Sequence, residues 1–374
     1  IFLNSHNSQK RKGFGPGEQE WGYVKVRPNA NTFWWLYYTT ANVPSYYDKP
    51  LMIWLQGGPG GSSTSYGNFE ELGPLDVNLV PRNYTWVKDY NVLFIDNPVG
   101  TGFSYVTSPS GYATTNAQIA RDLVECMKSF MKKLPGFSKV PTYIMTESYG
   151  GKMGAEFALL WHKEEKMGLI NSNLRGVALG DAWISPIDSV MTWADFLLAT
   201  GMVDTDGFRK IDEAARLTKN AVERADWEKS TALWGYTEGT AVAEYASEHK
   251  YTLNSLMNGP VKKALGLNVT HGAQSGTVFD KLRGDFMNFH SFLKISFSLL
   301  NNCLSSIVVK TGTLIWVENM KWRNSASWHK SQRRPLVGVN NIIEGYQKVF
   351  GNFAMYWVNR AGHMVRKIRF LVSW

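Results

Sequence analysis

No aspartate occurs after Asp285 in this chain of 374 residues, and the only acidic side chains beyond it are Glu318 and Glu344. Chemistry that needs a carboxylate from the last quarter of the sequence must find one elsewhere. Cysteine is also scarce. Cys126 and Cys303 allow at most one internal disulfide, which excludes a disulfide-stapled scaffold and a cysteine-ligated zinc site. No apolar run reaches 18 residues: the longest candidate, around 292–309, is interrupted by Lys294 and Asn301, which argues against a membrane span. Internal repeats and low-complexity tracts are absent, and nothing in the sequence calls for a metal or cofactor. The chain opens on Ile1 rather than methionine, as after removal of a signal peptide or in a sequence that never included one.

What is present is enough for a large core: 44% hydrophobic, 14% aromatic and 19% charged residues predict one enzyme-sized α/β domain with an insertion. The net charge of +9 is unevenly placed, since residues 309–374 carry 11 Lys/Arg against 2 Glu while the first 308 balance. Arg333-Arg334 and the Arg366, Lys367, Arg369 cluster are short and sit in no nucleic-acid motif, so they read as solvated surface, with no nucleic-acid partner expected. Two N-x-[ST] sequons, at Asn83 and Asn268, are compatible with a glycosylated secretory protein.

Short β-rich runs alternate with amphipathic segments through the first half, the pattern of a mainly parallel sheet covered by helices. Strands are expected at 33–38, 51–55, 92–95, 143–145 and 177–179, with weaker strand texture at 307–309 and 354–358. Residues 117–133 and 151–166 have helical spacing. From about 186 the texture becomes Ala-, Glu- and Lys-rich and wholly helical. The expected organisation is a core formed by 20–185 and 258–374, with 186–257 as a helical cap over the active site.

Ser148 lies in Thr146-Glu147-Ser148-Tyr149-Gly150-Gly151, directly after an apolar strand and before a helix, the setting of a nucleophile elbow. A serine hydroxyl is a weak nucleophile near neutrality, so it needs a histidine to take its proton and an acid to orient that histidine. His363, in Ala361-Gly362-His363-Met364, follows a strand candidate near the end of the chain. The turn Gln56-Gly57-Gly58-Pro59-Gly60-Gly61-Ser62-Ser63 exposes backbone amides at the end of a buried strand. With the amide of Tyr149 it can form an oxyanion hole.

Together with Trp54-Leu55-Gln56-Gly57-Gly58-Pro59-Gly60, these blocks and Glu71-Leu72-Gly73-Pro74 and Asp96-Asn97-Pro98-Val99-Gly100-Thr101-Gly102-Phe103-Ser104-Tyr105 resemble the serine carboxypeptidases over about residues 20–365. The retinoid-inducible branch is the nearer match, through Phe33-Trp34-Trp35-Leu36-Tyr37-Tyr38, Gly180-Asp181-Ala182-Trp183-Ile184-Ser185-Pro186 and Leu256-Met257-Asn258-Gly259-Pro260. The resemblance implies an α/β-hydrolase fold, release of C-terminal residues from peptides, and a secreted or lysosomal setting. It casts Ser148 as nucleophile, His363 as base, the Gly58 and Tyr149 amides as oxyanion donors, and Gln56, Glu71 and Glu147 as the site for the substrate's terminal carboxylate. Two carboxyls facing a third must share a proton, so peptide binding should favour acidic pH. Gln56 stands where the family mostly has asparagine, and Thr146 where a glycine is usual.

Read back from Trp316-Val317 and Gly312, the family's triad aspartate falls on Ser305. The stretch 286–300 is too short for both the helix and the strand that usually present the acid, so the strand before Ser305 can be missing. Asp280 and Asp285 lie between Ser148 and His363 in sequence and are the substitutes considered. After His363 the family's proline and acidic residues are replaced by Arg366-Lys367-Ile368-Arg369, and the final bracing helix is expected to be lacking. Two readings stay open: a carboxypeptidase impaired by loss of its acid, and an inactive relative that binds peptide C-termini or a protein partner. Acyl transfer to an alcohol has nothing in its favour. The sequence sets no oligomeric state.

Overall fold

The run Leu51–Leu55 is apolar and buried at every position, as a strand covered on both faces requires. It forms the middle of a sheet in a computed structural model that describes residues 12–241, 252–288, 304–308, 311–338, 341–359 and 363. The strands are β1 (Gln19–Arg27), β2 (Ala30–Tyr37), β3 (Leu51–Leu55), β4 (Asn91–Asp96), β5 (Tyr105–Val106), β6 (Thr142–Glu147), β7 (Leu174–Gly180), β8 (Leu304–Val308), β9 (Arg333–Val337), β10 (Ile343–Phe350) and β11 (Phe353–Val358). Their order is β1-β2-β4-β3-β6-β7-β8-β11-β10-β9, with β5 paired to β2. The six central strands, β4 through β11 in that order, are parallel. Both outer ribbons are antiparallel.

Successive side chains of a strand point to opposite faces, and the core divides accordingly. Trp34, Leu36, Leu51, Ile53, Leu55, Leu93 and Ile95 join one cluster with α1 (Asn116–Lys133) and α2 (Gly150–Lys166). Phe33, Trp35, Tyr37, Met52, Trp54, Val92 and Phe94 join the other, against Phe69 and Leu72 of a π-helical segment, Ser63–Leu72. Beyond β7 come α3 (Pro186–Val190), α4 (Trp193–Ala199), α5 (Thr205–Glu223) and α6 (Trp227–Ala241), without an intervening strand. Then follow α7 (Leu253–Leu256), α8 (Lys262–Leu265), α9 (Ser275–Phe286), α10 (Thr311–Asn319) and α11 (Ser325–Lys330).

The strand expected before Ser305 falls on residues outside the described ones, but Ser305 itself lies in a strand, because Leu304–Val308 pairs in parallel with β7 on one side and β11 on the other. A short strand suffices there, since two continuous neighbours supply partners for its backbone groups. The preceding residues 289–303, which include Cys303, lie outside the described residues, as do most of the residues around His363. Cys126 is a fully buried thiol on α1, pushed up to about 12 by burial. Arg333 and Arg334 stand exposed on the edge strand β9, where cationic side chains discourage further pairing. Among the described residues no helix is long and apolar enough to cross a membrane.

Lys152 ties α2 to α9. Its buried ammonium donates to the carbonyls of Asp285 (3.0 Å), Phe286 (2.8 Å) and Asn288, so a cation meets the negative end of a helix. Burial pulls its pKa down to about 7, against the opposing charges of Asp285 and Glu156. Lys152→Met keeps the stem but leaves these carbonyls without that donor. It is expected to cost about 3 kcal/mol, read as a lower urea midpoint at unchanged slope.

Candidate active site

Strand β6 ends at Glu147 and α2 begins at Gly150, so Ser148 and Tyr149 make the whole turn. Ser148 has φ 56°, in the left-handed region that non-glycine residues rarely occupy and that concentrates at functional turns. The neighbouring strand holds it there: Ser148 N–H donates to Gly180 O at 3.1 Å, and Trp183 N–H donates to Ser148 O at 2.8 Å. The glycine-rich turn after β3 packs directly against this elbow. A Cβ on Gly57 would lie 2.6 Å from Ser148 Cβ and 3.0 Å from Tyr149 N, so only glycine lets that backbone approach. Gly58 follows on the exposed side with φ 112°.

Tyr149 is fixed by its ring, which stacks on Phe286 at 5.4 Å and 6°, while its hydroxyl accepts from Asn116 Nδ2 at 2.9 Å. The same Asn116 also donates, through its N–H and Nδ2, to Asp285 Oδ2. Phe286 in turn meets Trp183 and Trp234, which brings α6 over the elbow's far side.

Beside the turn lies a buried polar pocket. Gln56 Nε2 donates to Glu147 Oε1 at 3.3 Å, and Gln56 Oε1 accepts from Trp54 Nε1 at 2.8 Å. Gln56, Glu71 and Glu147 are each nine-tenths or more buried. The segment Ser63–Leu72 carries Glu71 and packs on the same group, since a Cβ on Gly67 would meet Trp54 Nε1 and, at 3.1 Å, Gln56 Oε1.

Asp96, at the end of β4 and fully buried, sets this segment in place. It accepts from Ser62 Oγ (2.7 Å), Thr64 N (3.1 Å), Thr64 Oγ1 (2.8 Å) and Phe103 N (2.8 Å). Ser62 Oγ is also 3.1 Å from His271 Nε2, whose pKa burial lowers. Neither Asp96's anchoring role nor Lys152 was legible from spacing alone. The only signal was the run of hydroxyls, Ser62-Ser63-Thr64, following the glycines.

His363 stands among three carboxylates. Its Nδ1 contacts Asp181 Oδ2, its Nε2 is 3.9 Å from Glu147 Oε1, and its charge opposes the upward push of burial on Glu238 of α6. Neither substitute acid considered from the sequence is the partner seen here. Asp285 is engaged at the start of α1, and Asp280 faces Arg283 at 3.8 Å on the surface. Ser305 is not at a strand end: it pairs with Val177 and Phe353, three residues before Val308 meets Gly180. Asp181 was quoted only as part of a motif, and sequence order gave no reason to prefer it. Among the described residues Ser148 Oγ makes no hydrogen bond.

A serine elbow at the carboxyl edge of a mainly parallel sheet, with a glycine-rich turn against it and a histidine from beyond the last parallel strand, defines an α/β hydrolase. The fold agrees with that of Kex1(delta)p, a prohormone-processing carboxypeptidase of Saccharomyces cerevisiae (TM-score 0.79, 19% identity, 94% of this chain and 88% of that one). The family model for serine carboxypeptidase matches residues 10–258 and 241–369, and the chain belongs to that family. It is 38% identical to the retinoid-inducible serine carboxypeptidase of Rattus norvegicus and 36% identical to that of Homo sapiens, in each case over 93% of this chain and 88% of the relative. Serine carboxypeptidase-like 51 of Arabidopsis thaliana is 29% identical over 97% of this chain and 92% of its own length.

Two outcomes are expected. Asp96→Ala strands four buried donors and should lower stability by about 3 kcal/mol or more, measured by urea unfolding. Ser305→Asp should give no gain in turnover on a blocked dipeptide, because position 305 lies roughly 10 Å back along the strand from its carboxyl edge.

Proposed function

We propose that this protein is a serine-type carboxypeptidase that releases C-terminal residues from peptides through an acyl-enzyme. The observation that carries the reading is the half-buried Ser148 at positive φ, pressed against Gly57, with the buried Gln56–Glu147 pair beside it. Ser148 Oγ attacks the last peptide carbonyl while His363 Nε2 takes its proton. The Gly58 and Tyr149 amides receive the oxyanion. The C–N bond then breaks, the departing amine takes the proton from His363, and water activated by the same imidazole frees the acyl group.

Gln56, Glu71 and Glu147 hold the substrate's terminal carboxylate, which restricts cleavage to the chain end. Three carboxyls together must keep at least one proton, so KM should rise as pH rises. The segment 186–257 is assigned as the cap over this site, which the influence of His363 on Glu238, in the described stretch 186–241, supports. Both sequon asparagines, Asn83 and Asn268, are exposed, which supports glycosylation and a secreted or lysosomal location. The similarity to proteins known as serine carboxypeptidases supports a peptide substrate.

By resemblance the family's acid falls on Ser305, and a triad left without an acid loses about 10⁴-fold in turnover, or ~5–6 kcal/mol. Turnover is reduced on this reading unless another carboxylate orients the imidazole. Ser148 Oγ without a hydrogen bond among the described residues, beside the buried Gln56–Glu147 pair, supports a second one, an inactive relative that binds peptide C-termini. A fluorophosphonate probe on the folded chain separates them. Labelling at Ser148, and release of a free amino acid from a blocked dipeptide near pH 5 that Ser148→Ala abolishes, are expected for the enzyme. A folded chain that neither labels nor cleaves is the binder.

A further inference from the structure

The three strands that end at the candidate site finish level with one another: Glu147 pairs with Gly180, and Gly180 with Val308. One residue further on stand Ser148 after β6 and Asp181 after β7. The position that follows β8, residue 309, is a valine. The histidine follows β11 in sequence, and β11 lies on the far side of β8. An acid at the end of β8 and one at the end of β7 differ by a single inter-strand spacing, about 4.8 Å. Rotation of the imidazole about its two side-chain bonds can span that displacement.

The side chain of Asp181 is nine-tenths buried, its backbone has φ 42°, and its Oδ2 contacts His363 Nδ1. A buried carboxylate needs a cation or donors, and a left-handed backbone is tolerated by aspartate better than by most residues. The turn around it is fixed by the elbow itself, since Trp183 N–H bonds Ser148 O and a Cβ on Gly151 would collide with Ala182. Asp181, Ser148 and the oxyanion turn therefore move as one unit.

We propose that Asp181 is the positioning acid of this chain, having taken over from the end of β8 the task of orienting His363. The inference rests on the carboxypeptidase reading above. Asp181 stays ionised throughout, accepts the Nδ1 proton as a hydrogen bond, and so leaves Nε2 unprotonated to receive the proton of Ser148 Oγ; no proton passes to the carboxylate. Chain order, Ser148, Asp181, His363, remains nucleophile, acid, histidine. Among the described residues, Glu147 and Glu238 also face the imidazole. Glu147 faces Nε2 and so cannot hold Nδ1.

The test follows fluorophosphonate labelling of Ser148 across pH in the full chain, for the native protein, Asp181→Asn and Asp181→Glu, with the thermal midpoint of each. Asparagine accepts the same backbone conformation but holds the wrong imidazole tautomer. It is expected to slow labelling by about 10³–10⁴-fold and change its pH profile at a nearly unchanged midpoint, while glutamate restores part of the rate. Labelling of Asp181→Asn within about threefold of native overturns the inference and leaves the enzyme reading standing. If the native chain does not label, the enzyme reading falls. The contact is then decided by the ¹⁵N spectrum of the His363 ring, as it is if Asp181→Asn does not fold. A protonated Nδ1 whose signal moves in Asp181→Glu supports it, and a signal identical in the two proteins overturns it.

Discussion

The buried carboxylate of Asp96 is the constraint on which the rest of the candidate site depends. A charge removed from water inside a sheet must be met by donors, and Asp96 recruits four, from Ser62, both polar groups of Thr64, and Phe103. The first two residues stand just past the glycine-rich turn and open the segment Ser63–Leu72. One interaction therefore fixes where the glycine-rich turn ends and where the segment bearing Glu71 begins. The requirement works backwards on sequence: Gly102 has no Cβ because one would lie 2.2 Å from Asp96 Oδ2.

Sheet register converts that local order into a site. Parallel strands that finish level present their next residues in a row, spaced by the strand separation. Ser148 and Asp181 occupy adjacent places in the row, and the first amide of the elbow is bonded to the last carbonyl of β7. A displaced acid thus needs no new backbone, only a carboxylate on a turn that the elbow already holds. Conversely, Ser305 fails as a reference point because sequence alignment locates it by neighbours, whereas the sheet locates it by rungs.

Much of this was legible in the sequence. The fully apolar run at β3 and the runs at β4, β6 and β7 were placed within a few residues, and Ser148 was set on its turn by flanking residue types alone. Gln56 and Glu147 were paired by resemblance and meet in space. What stayed hidden has a common cause. Lys152, Asp96 and Asp181 act through partners remote in sequence or through carbonyls that carry no residue signature. The outer strands β1, β9 and β10 mix polar with apolar residues because one side faces water, so they lack the dense apolar signal of the central strands. β8 is five residues long and takes its definition from its neighbours.

The two halves of the site differ in how they are held. Gln56, Glu71 and Glu147 are buried among elements of the core, so the carboxylate recognition proposed for them would be preorganised by the same packing that stabilises the fold. The imidazole side is different: the side chain of His363 is 43% exposed, against 9% for Asp181. An ion pair between two exposed side chains would do little to fix a ring in such a place. A pair in which one member is locked into the elbow's own turn can do so, because only the histidine has freedom left to lose. In the proposed mechanism, binding and chemistry then rest on separate supports. A change that loosens His363 can abolish turnover and leave the carboxylate pocket able to bind, which is how an enzyme of this fold would become a binding protein.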